Sequence, residues 1–227
     1  MTRPRLLDLF CGAGGAAMGY HRAGFDVVGV DIEPQPHYPF RFYQLDAVRL
    51  LLEKKYLIQY LFQAIHASPP CQAYSSATPA ANRDKHPDLV AAVRDLLQAT
   101  GLPYVIENVV GAPLQTGFIL CGSMFGLKVR RHRLFESSVL IMPPTCDHRA
   151  QGTPLGVYGD GGPGKSTRPS GGGGTKADRR QFGELMEMPW ATPEEIVQAI
   201  PPAYTEYIGA QLVRHVRLLS DEGKPEA

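Results

Sequence analysis

Asp8-Leu9-Phe10-Cys11-Gly12-Ala13-Gly14-Gly15 runs from an apolar stretch through a glycine turn into the small residues of 16–23. That succession predicts a buried strand over 5–10, a tight turn at 11–15 and a helix over 16–23. The same rhythm continues outward. Residues 26–30 read as a second strand ending at Asp31, and 40–45 as a third ending at Asp46; 48–60 carry Leu and Lys at helical spacing. A fourth strand over 62–67 stops at Ser68-Pro69-Pro70-Cys71, an amphipathic helix spans 88–100, and a fifth strand over 103–106 ends at Glu107-Asn108. Strands alternating with helices predict an α/β fold with a doubly wound, mostly parallel sheet. Ligands of such sheets bind outside the carboxyl ends of the strands, where Asp31, Asp46, Cys71 and Glu107 fall.

Further strands are expected over 118–121 and 133–140. The texture then changes: ten of the 24 glycines lie between Gly152 and Gly174, including Gly171-Gly172-Gly173-Gly174. No packed core can come from such a stretch, which reads as a loop that orders on binding. Beyond it, 180–188 and 193–199 suggest short helices, Pro201-Pro202 opens a last one through 218, and the tail after 220 reads as frayed. The chain has 227 residues, 44% of them apolar, with 23 Lys+Arg against 22 Asp+Glu. That excludes a disordered acidic or basic tail protein and suits one compact domain whose core needs no disulfide or structural metal. Basic residues nevertheless cluster, with Lys128, Arg130, Arg131 and Arg133 in one group and Lys165, Arg168, Lys176, Arg179 and Arg180 in another. Either group reads as a solvated face or as a grip on nucleic acid. The four cysteines form no CxxC pair, and Met1-Thr2-Arg3-Pro4 does not open a signal peptide, so reduced thiols and a cytoplasmic location are expected. No apolar run reaches membrane-spanning length.

The chemistry sits in four short segments. Gly12 and Gly14 let a ligand lie against backbone N–H groups, with Asp31 placed to hold ribose hydroxyls. The turn alone also fits a purely structural role, or the dinucleotide fingerprint as Gly12-x-Gly14-x-x-Ala17. Asp46 is placed either to accept from an adenine amino group or to cap the helix that follows. Pro69-Pro70 stiffens the backbone before Cys71, a thiol on the ligand edge that reads as a nucleophile or as an inert buried cysteine. Glu107, in a dry pocket, can donate a proton to a ring nitrogen; on a wet surface it would be one half of a salt bridge. Arg131 and Arg133, at alternate positions, are expected on one face of a strand, suited to a carbonyl oxygen or a phosphate. Cys146-Asp147-His148 supplies at most three metal ligands with no second cluster, so no metal is expected. His21 and His66 have no evident partner.

Taken together, DLFCGAGG, PPCQAYS, ENV and RRHRLF resemble the motifs of the DNA cytosine-5 methyltransferases, in that family's order. The stretch over 180–209, with Glu184-Leu185-Met186 and Ala199-Ile200-Pro201-Pro202, is similar to its two closing motifs. A nicotinamide-dependent oxidoreductase accounts for the first motif alone. The resemblance implies S-adenosylmethionine as cofactor, with Phe10 stacked on its adenine, Gly12 and Gly14 beside its methionine portion, Asp31 on the ribose, Asp46 on the adenine amino group and Pro70 lining the pocket. It implies Cys71 as the nucleophile toward carbon 6 of a flipped cytosine, Glu107 at the ring nitrogen, and Arg133, with Arg131 second, at the carbonyl oxygen. Ser75 and Ser76, on the loop after Cys71, read either as contacts to the neighbouring phosphate or as ordinary polar loop residues.

The chain departs from the family pattern in one large way. Only residues 136–178 stand where a sizeable target-recognition region is usual, so base reading falls to Tyr158, Lys165, Arg168 and the basic flank, or to a protein partner. Val129 and Gln198 replace the usual glutamine and asparagine. The expected organisation is a catalytic and cofactor-binding core over 1–140, a reduced recognition loop over 141–178, closing motifs over 179–219 that pack back on the core, and a tail over 220–227. The expected protein is a monomer acting on duplex DNA; RNA, a free pyrimidine nucleotide, or a silent DNA-binding or cofactor-sensing relative are the alternatives.

Overall fold

Leu6, Leu7 and Leu9 are buried almost completely in the computed structural model, which describes residues 2–75, 78–158 and 175–222. A strand apolar on both faces belongs at the centre of a sheet, and theirs does. The strands are β1 (Arg5–Leu9), β2 (Asp26–Asp31), β3 (Arg41–Gln44), β4 (Ala64–Ala67), β5 (Tyr104–Asn108), β6 (Phe118–Leu120) and β7 (Arg133–Ser137). They form one sheet in the order β3-β2-β1-β4-β5-β7-β6, mostly parallel, with β7 antiparallel to both of its neighbours. The α/β, doubly wound expectation holds. That inserted antiparallel strand separates the topology from the six-stranded order of dinucleotide-binding folds.

The helices are α1 (Gly15–Arg22), α2 (Ala47–Glu53), α3 (Lys55–Leu61), α4 (Ala80–Arg83), α5 (Val90–Thr100), α6 (His148–Gln151), α7 (Phe182–Leu185), α8 (Pro193–Ile196) and α9 (Pro202–Glu222). Alternation along the strands sends Leu6, Val27, Val105 and Phe135 to one face, where Tyr20 of α1 and Tyr204, Ile208 and Leu212 of α9 cover them. Leu7, Val28, Ile65 and Ile106 point to the other face, beneath Leu51, Ile58, Val93 and Leu97 of α2, α3 and α5. Helices α1 and α9 approach closely because Gly19 has no side chain. A Cβ there would stand 2.1 Å from Thr205 Oγ1 and 2.2 Å from the Pro202 carbonyl oxygen. Thr205 Oγ1 instead donates to the Ala16 carbonyl at 2.8 Å.

A third cluster joins Ala13 of the glycine turn to Val129, Val157, Ala177, Phe182, Met186, Met188 and Ile196. The segment after the basic stretch thus packs against the ligand edge. Two short parallel strands, β8 (Leu155–Gly156) and β9 (Thr175–Lys176), flank the glycine-rich run. Lys165, Arg168, Gly171–Gly174 and Ser76 lie outside the described residues.

Three expectations need correction. The helix expected over 48–60 breaks at Lys54 into α2 and α3. Leu51 and Ile58 are seven residues apart and share a face with or without the break, so apolar spacing cannot register it. Glu107 lies inside β5 rather than beyond it, and β7 ends at Ser137 instead of continuing to 140. Leu140 is then free to be exposed.

Candidate active site

The carboxyl edge gathers the expected groups for a topological reason. Parallel strands β1, β2, β4 and β5 deliver their last residues there, and an antiparallel strand delivers its first. Arg133, the first residue of β7, therefore arrives beside Glu107, near the end of β5; Glu107 pairs with Phe135 in the ladder. The Arg133 Nε atom stands 3.1 Å from Glu107 Oε1, and both side chains are largely buried.

Burial raises the Glu107 carboxyl above its usual range, opposed by the charge of Arg133 and by a hydrogen bond from Ser68. Ser68 belongs to a longer chain of contacts. His66 Nε2 lies 3.0 Å from Ser68 Oγ, and Tyr20 Oη lies 3.1 Å from His66 Nδ1. Burial pushes His66 down to about 3, so at neutral pH the imidazole has one donor only. Ser68 uses its proton on Glu107, so His66 Nε2–H donates to Ser68 and Nδ1 accepts from Tyr20, a tautomer assigned from this network. The reading that His66 lacks a partner is corrected: α1 and β4 bring together groups that lie far apart in sequence. Ser68 itself was missed; its place at a strand end, one residue before the prolines, was the available signal.

Cys71 is half-buried on the loop after β4. Burial holds its thiol above the ordinary cysteine range, with Arg133 pulling it down and Glu107 pushing it up, so the resting sulfur is protonated. The loop is braced. Asn108 Nδ2 donates to the Pro69 carbonyl at 3.0 Å, the Cys71 carbonyl accepts from the N–H groups of Tyr74 (3.0 Å) and Ser75 (2.9 Å), and the Tyr74 hydroxyl bonds to Asp88. Pro70, half-buried, sits next to the thiol.

A second hollow lies at the ends of β1 and β2. Phe10 (φ 56°), Gly12 (φ 48°) and Gly14 (φ 82°) all take left-handed backbone, which a phenylalanine tolerates only under constraint. Among the described residues, a Cβ on Gly12 would meet nothing within 4 Å, so the turn lines open space there. The Asp31 carboxylate straps the turn, accepting from Gly12 N at 2.9 Å and Glu33 N at 3.1 Å, and each oxygen keeps a lone pair. Trp190 Nε1 donates to the Ala13 carbonyl at 2.8 Å from the far side. Helix α1 starts with no side-chain cap, so its first N–H groups face the turn. Asp46, by contrast, is exposed and uses Oδ1 to cap α2 through Val48 N and Arg49 N.

Two readings change. Arg131 does not share a strand face with Arg133: it precedes β7 with φ 33°, and its guanidinium donates to the carbonyls of Val157 and Val197. It ties the ligand edge to the segments that follow and leaves the substrate side to Arg133. The expected grip on phosphate is also partly engaged, since Arg179 pairs with Glu194 and Arg180 with Asp178. These exposed pairs are weak and open cheaply to a phosphate. Lys176 and Tyr158 remain exposed beside them.

The reading that Cys146 and His148 have no second cluster is corrected: Cys121, just after β6, and His132, just before β7, come within 4.8 Å of them, ligand atom to ligand atom.

Residues 4–113 match the model of the C-5 cytosine-specific DNA methylases. A 35-residue stretch is 60% identical to the Type II methyltransferase M.XorII of Xanthomonas oryzae, covering 15% of this chain and 8% of that relative. Among solved structures, a candidate prophage-encoded DNA modification methyltransferase from E. coli aligns with TM-score 0.62 at 16% identity, over 96% of this chain and 99% of that one. The Entamoeba histolytica methyltransferase EhMeth aligns at 0.60 and 11% identity (99% and 100%), and the S. pombe Dnmt2 methyltransferase at 0.57 and 13% (94% and 99%). At those identities the likeness establishes the fold.

Proposed function

Because residues 4–113 match the model of the C-5 cytosine-specific DNA methylases, whose methyl donor is S-adenosylmethionine, we propose that this chain is one of them and that it methylates carbon 5 of a cytosine flipped out of DNA, through a covalent bond from Cys71 to carbon 6. The observation that carries the reading is the buried Glu107–Arg133 pair, whose charges both act on Cys71 at the edge shared with the glycine turn. The residues fit the cofactor. The open space at Gly12 admits backbone approach, the uncapped start of α1 suits a carboxylate, Asp31 has lone pairs for ribose hydroxyls, and Phe10, two residues before Gly12, supplies an aromatic ring. When bound, the cofactor supplies an electrophilic sulfonium methyl group.

The chain's own residues do the rest. Carbon 5 of cytosine is too weak a nucleophile to attack unaided. Cys71 gives its proton to water as the base enters, and its sulfur lone pair forms the bond to carbon 6. Glu107, whose proton affinity burial raises, takes up a proton and passes it to the ring nitrogen as that electron density moves through the ring, leaving carbon 5 nucleophilic. Arg133 holds the cytosine carbonyl oxygen and orients Glu107. After methyl transfer, the ring nitrogen returns its proton to Glu107, water removes the proton from carbon 5, the electron pair of that bond closes the carbon 5–carbon 6 double bond, and Cys71 leaves as thiolate. Residues 1–140 with 179–219 form the catalytic unit in this reading, and 141–178 serve as its reduced target-recognition region.

Trapping on duplex DNA containing 5-fluorocytosine tests this, because fluorine at carbon 5 cannot leave as a proton. A cofactor-dependent covalent adduct, absent from Cys71→Ser, is expected on a denaturing gel. No adduct with DNA, but one with fluorinated RNA or a fluorinated nucleotide, would overturn the substrate; no adduct with any of them would overturn the mechanism.

A further inference from the structure

We propose that Cys121, His132, Cys146 and His148 hold a single structural zinc ion that clips the segment after β7 to the sheet edge beside Arg133. The four ligand atoms all lie within 4.8 Å of one another. Two thiolates and two imidazoles are the donor set that tetrahedral zinc prefers. With Zn–S near 2.3 Å and Zn–N near 2.05 Å, a tetrahedron places sulfur about 3.6 Å from nitrogen. Cys121 Sγ stands 3.4 Å from His148 Nε2, and Cys146 Sγ stands 3.7 Å from His132 Nε2. Both histidines present the same ring nitrogen, and their rings meet at 79° with centroids 5.1 Å apart, so neither blocks the other. Closing the longest separations takes a movement of about 1 Å.

The fold explains the convergence. The β6–β7 ladder pairs Leu120 with Arg133, so the next residue on one strand and the preceding residue on the other, Cys121 and His132, extend from opposed positions. Cys146 and His148 flank Asp147, whose extended backbone (φ −121°, ψ 81°) sends i and i+2 to one side. The Asp147 carboxylate meanwhile caps α6 through Ala150 N at 2.8 Å. Ser123 Oγ donates to Cys121 Sγ at 3.2 Å, a contact of the kind that orients ligating thiolates. The segment also has need of a clip. Ile141 and Val157 are buried, but Leu140 and Met142 are exposed, so little core of its own forms there.

The ion would act on the active site through one residue. Arg133 Nη1 donates to the carbonyl of His132 at 3.0 Å, so fixing His132 fixes the guanidinium that faces Glu107. This inference does not depend on the methylation reading, because metal content is measured without turnover. The full chain, purified without chelators from zinc-supplemented cells, is expected to carry one zinc per chain by plasma mass spectrometry. Cys146→Ser and His148→Ala should lose it, whereas His148→Cys and the inactive Cys71→Ser should keep it. Cobalt(II) exchanged into the wild type should show intense tetrahedral bands with thiolate charge transfer, a readout that survives even if a variant fails to fold. Zinc far below one per chain, cobalt bands lacking thiolate character, or a Cys121–Cys146 disulfide in freshly purified protein would each overturn the proposal.

Discussion

Glu136→Gln keeps the shape of a buried side chain and removes its charge, which makes the price of that charge measurable. Glu136 accepts from Arg94 Nε and Nη2, each at 2.8 Å, from Gln115 N at 2.7 Å and from Tyr104 Oη at 3.3 Å. The two charged side chains are 6% and 4% exposed. A glutamine has one acceptor oxygen for these donors, and its own N–H groups must face a guanidinium or a backbone N–H. Arg94 would then sit buried without a counter-charge, which costs about 3–5 kcal/mol. In a domain of this size about 2–4 °C accompanies each kcal/mol, so the melting temperature should fall by about 6–20 °C in circular-dichroism melts at neutral pH. Arg94→Met with Glu136→Leu removes both charges and should recover most of the loss, because the penalty lies in the unpaired member. A single variant within about 1 kcal/mol of wild type would refute the reasoning, since the guanidinium would then have found water or another acceptor.

Ser68→Ala removes a hydroxyl that donates to Glu107, an interaction with a charged group worth about 1.5–3 kcal/mol; the limb of the kcat/KM–pH profile due to Glu107 should move to higher pH, and an unmoved limb would exclude Ser68 from the site. Asp8 is buried and its carboxyl is held well above 3.8 by burial, with Tyr38 opposing and Asp31 adding. The folded state therefore keeps a proton that the unfolded chain has released, and above pH 3.8 stability falls by up to about 1.4 kcal/mol per pH unit until the folded pKa is passed. Urea titrations of Asp8→Asn should lack that slope and gain on wild type as pH rises; parallel curves would sink the assignment. Gly12→Ala puts a methyl group on left-handed backbone, at about 1–3 kcal/mol of strain, and into the hollow beside the glycine turn. Calorimetry should show cofactor affinity falling more than tenfold, while a loss of stability with unchanged affinity would place the cofactor elsewhere.

The parallel core was legible because Leu6, Leu7 and Leu9, then Val27 to Val30, read as runs buried on both faces, each followed by a turn. Cys71 and Glu107 were legible because a strand end announces the ligand edge. Orientation was not. Nothing in Arg133-Leu134-Phe135 says that this strand runs against its neighbours, and it is that reversal which sets Arg133 on Glu107 and removes Arg131 from the strand face. The Tyr20–His66–Ser68 chain was hidden because its members come from a helix and a strand 46 residues apart. The four metal-binding side chains lay equally deep: no CxxC spacing links Cys121, His132, Cys146 and His148, and only the β6–β7 pairing closes the first interval.

The contact between α1 and α9 governs how the molecule can be made. Thr205 grips Ala16 across 189 residues, and Gly19 lies flush against the carbonyl of Pro202. A ribosome that has released the glycine turn and its helix has still to deliver the helix that covers them, so Tyr20 and Phe25 wait in water, or under a chaperone, until residues beyond 200 emerge. Closing so long a loop is slow. The earliest part of the active edge to be synthesised is thus completed only when α9 docks, and translation that stalls before Pro202 should leave a sticky, cofactor-free nascent chain, which limited proteolysis of stalled complexes would reveal.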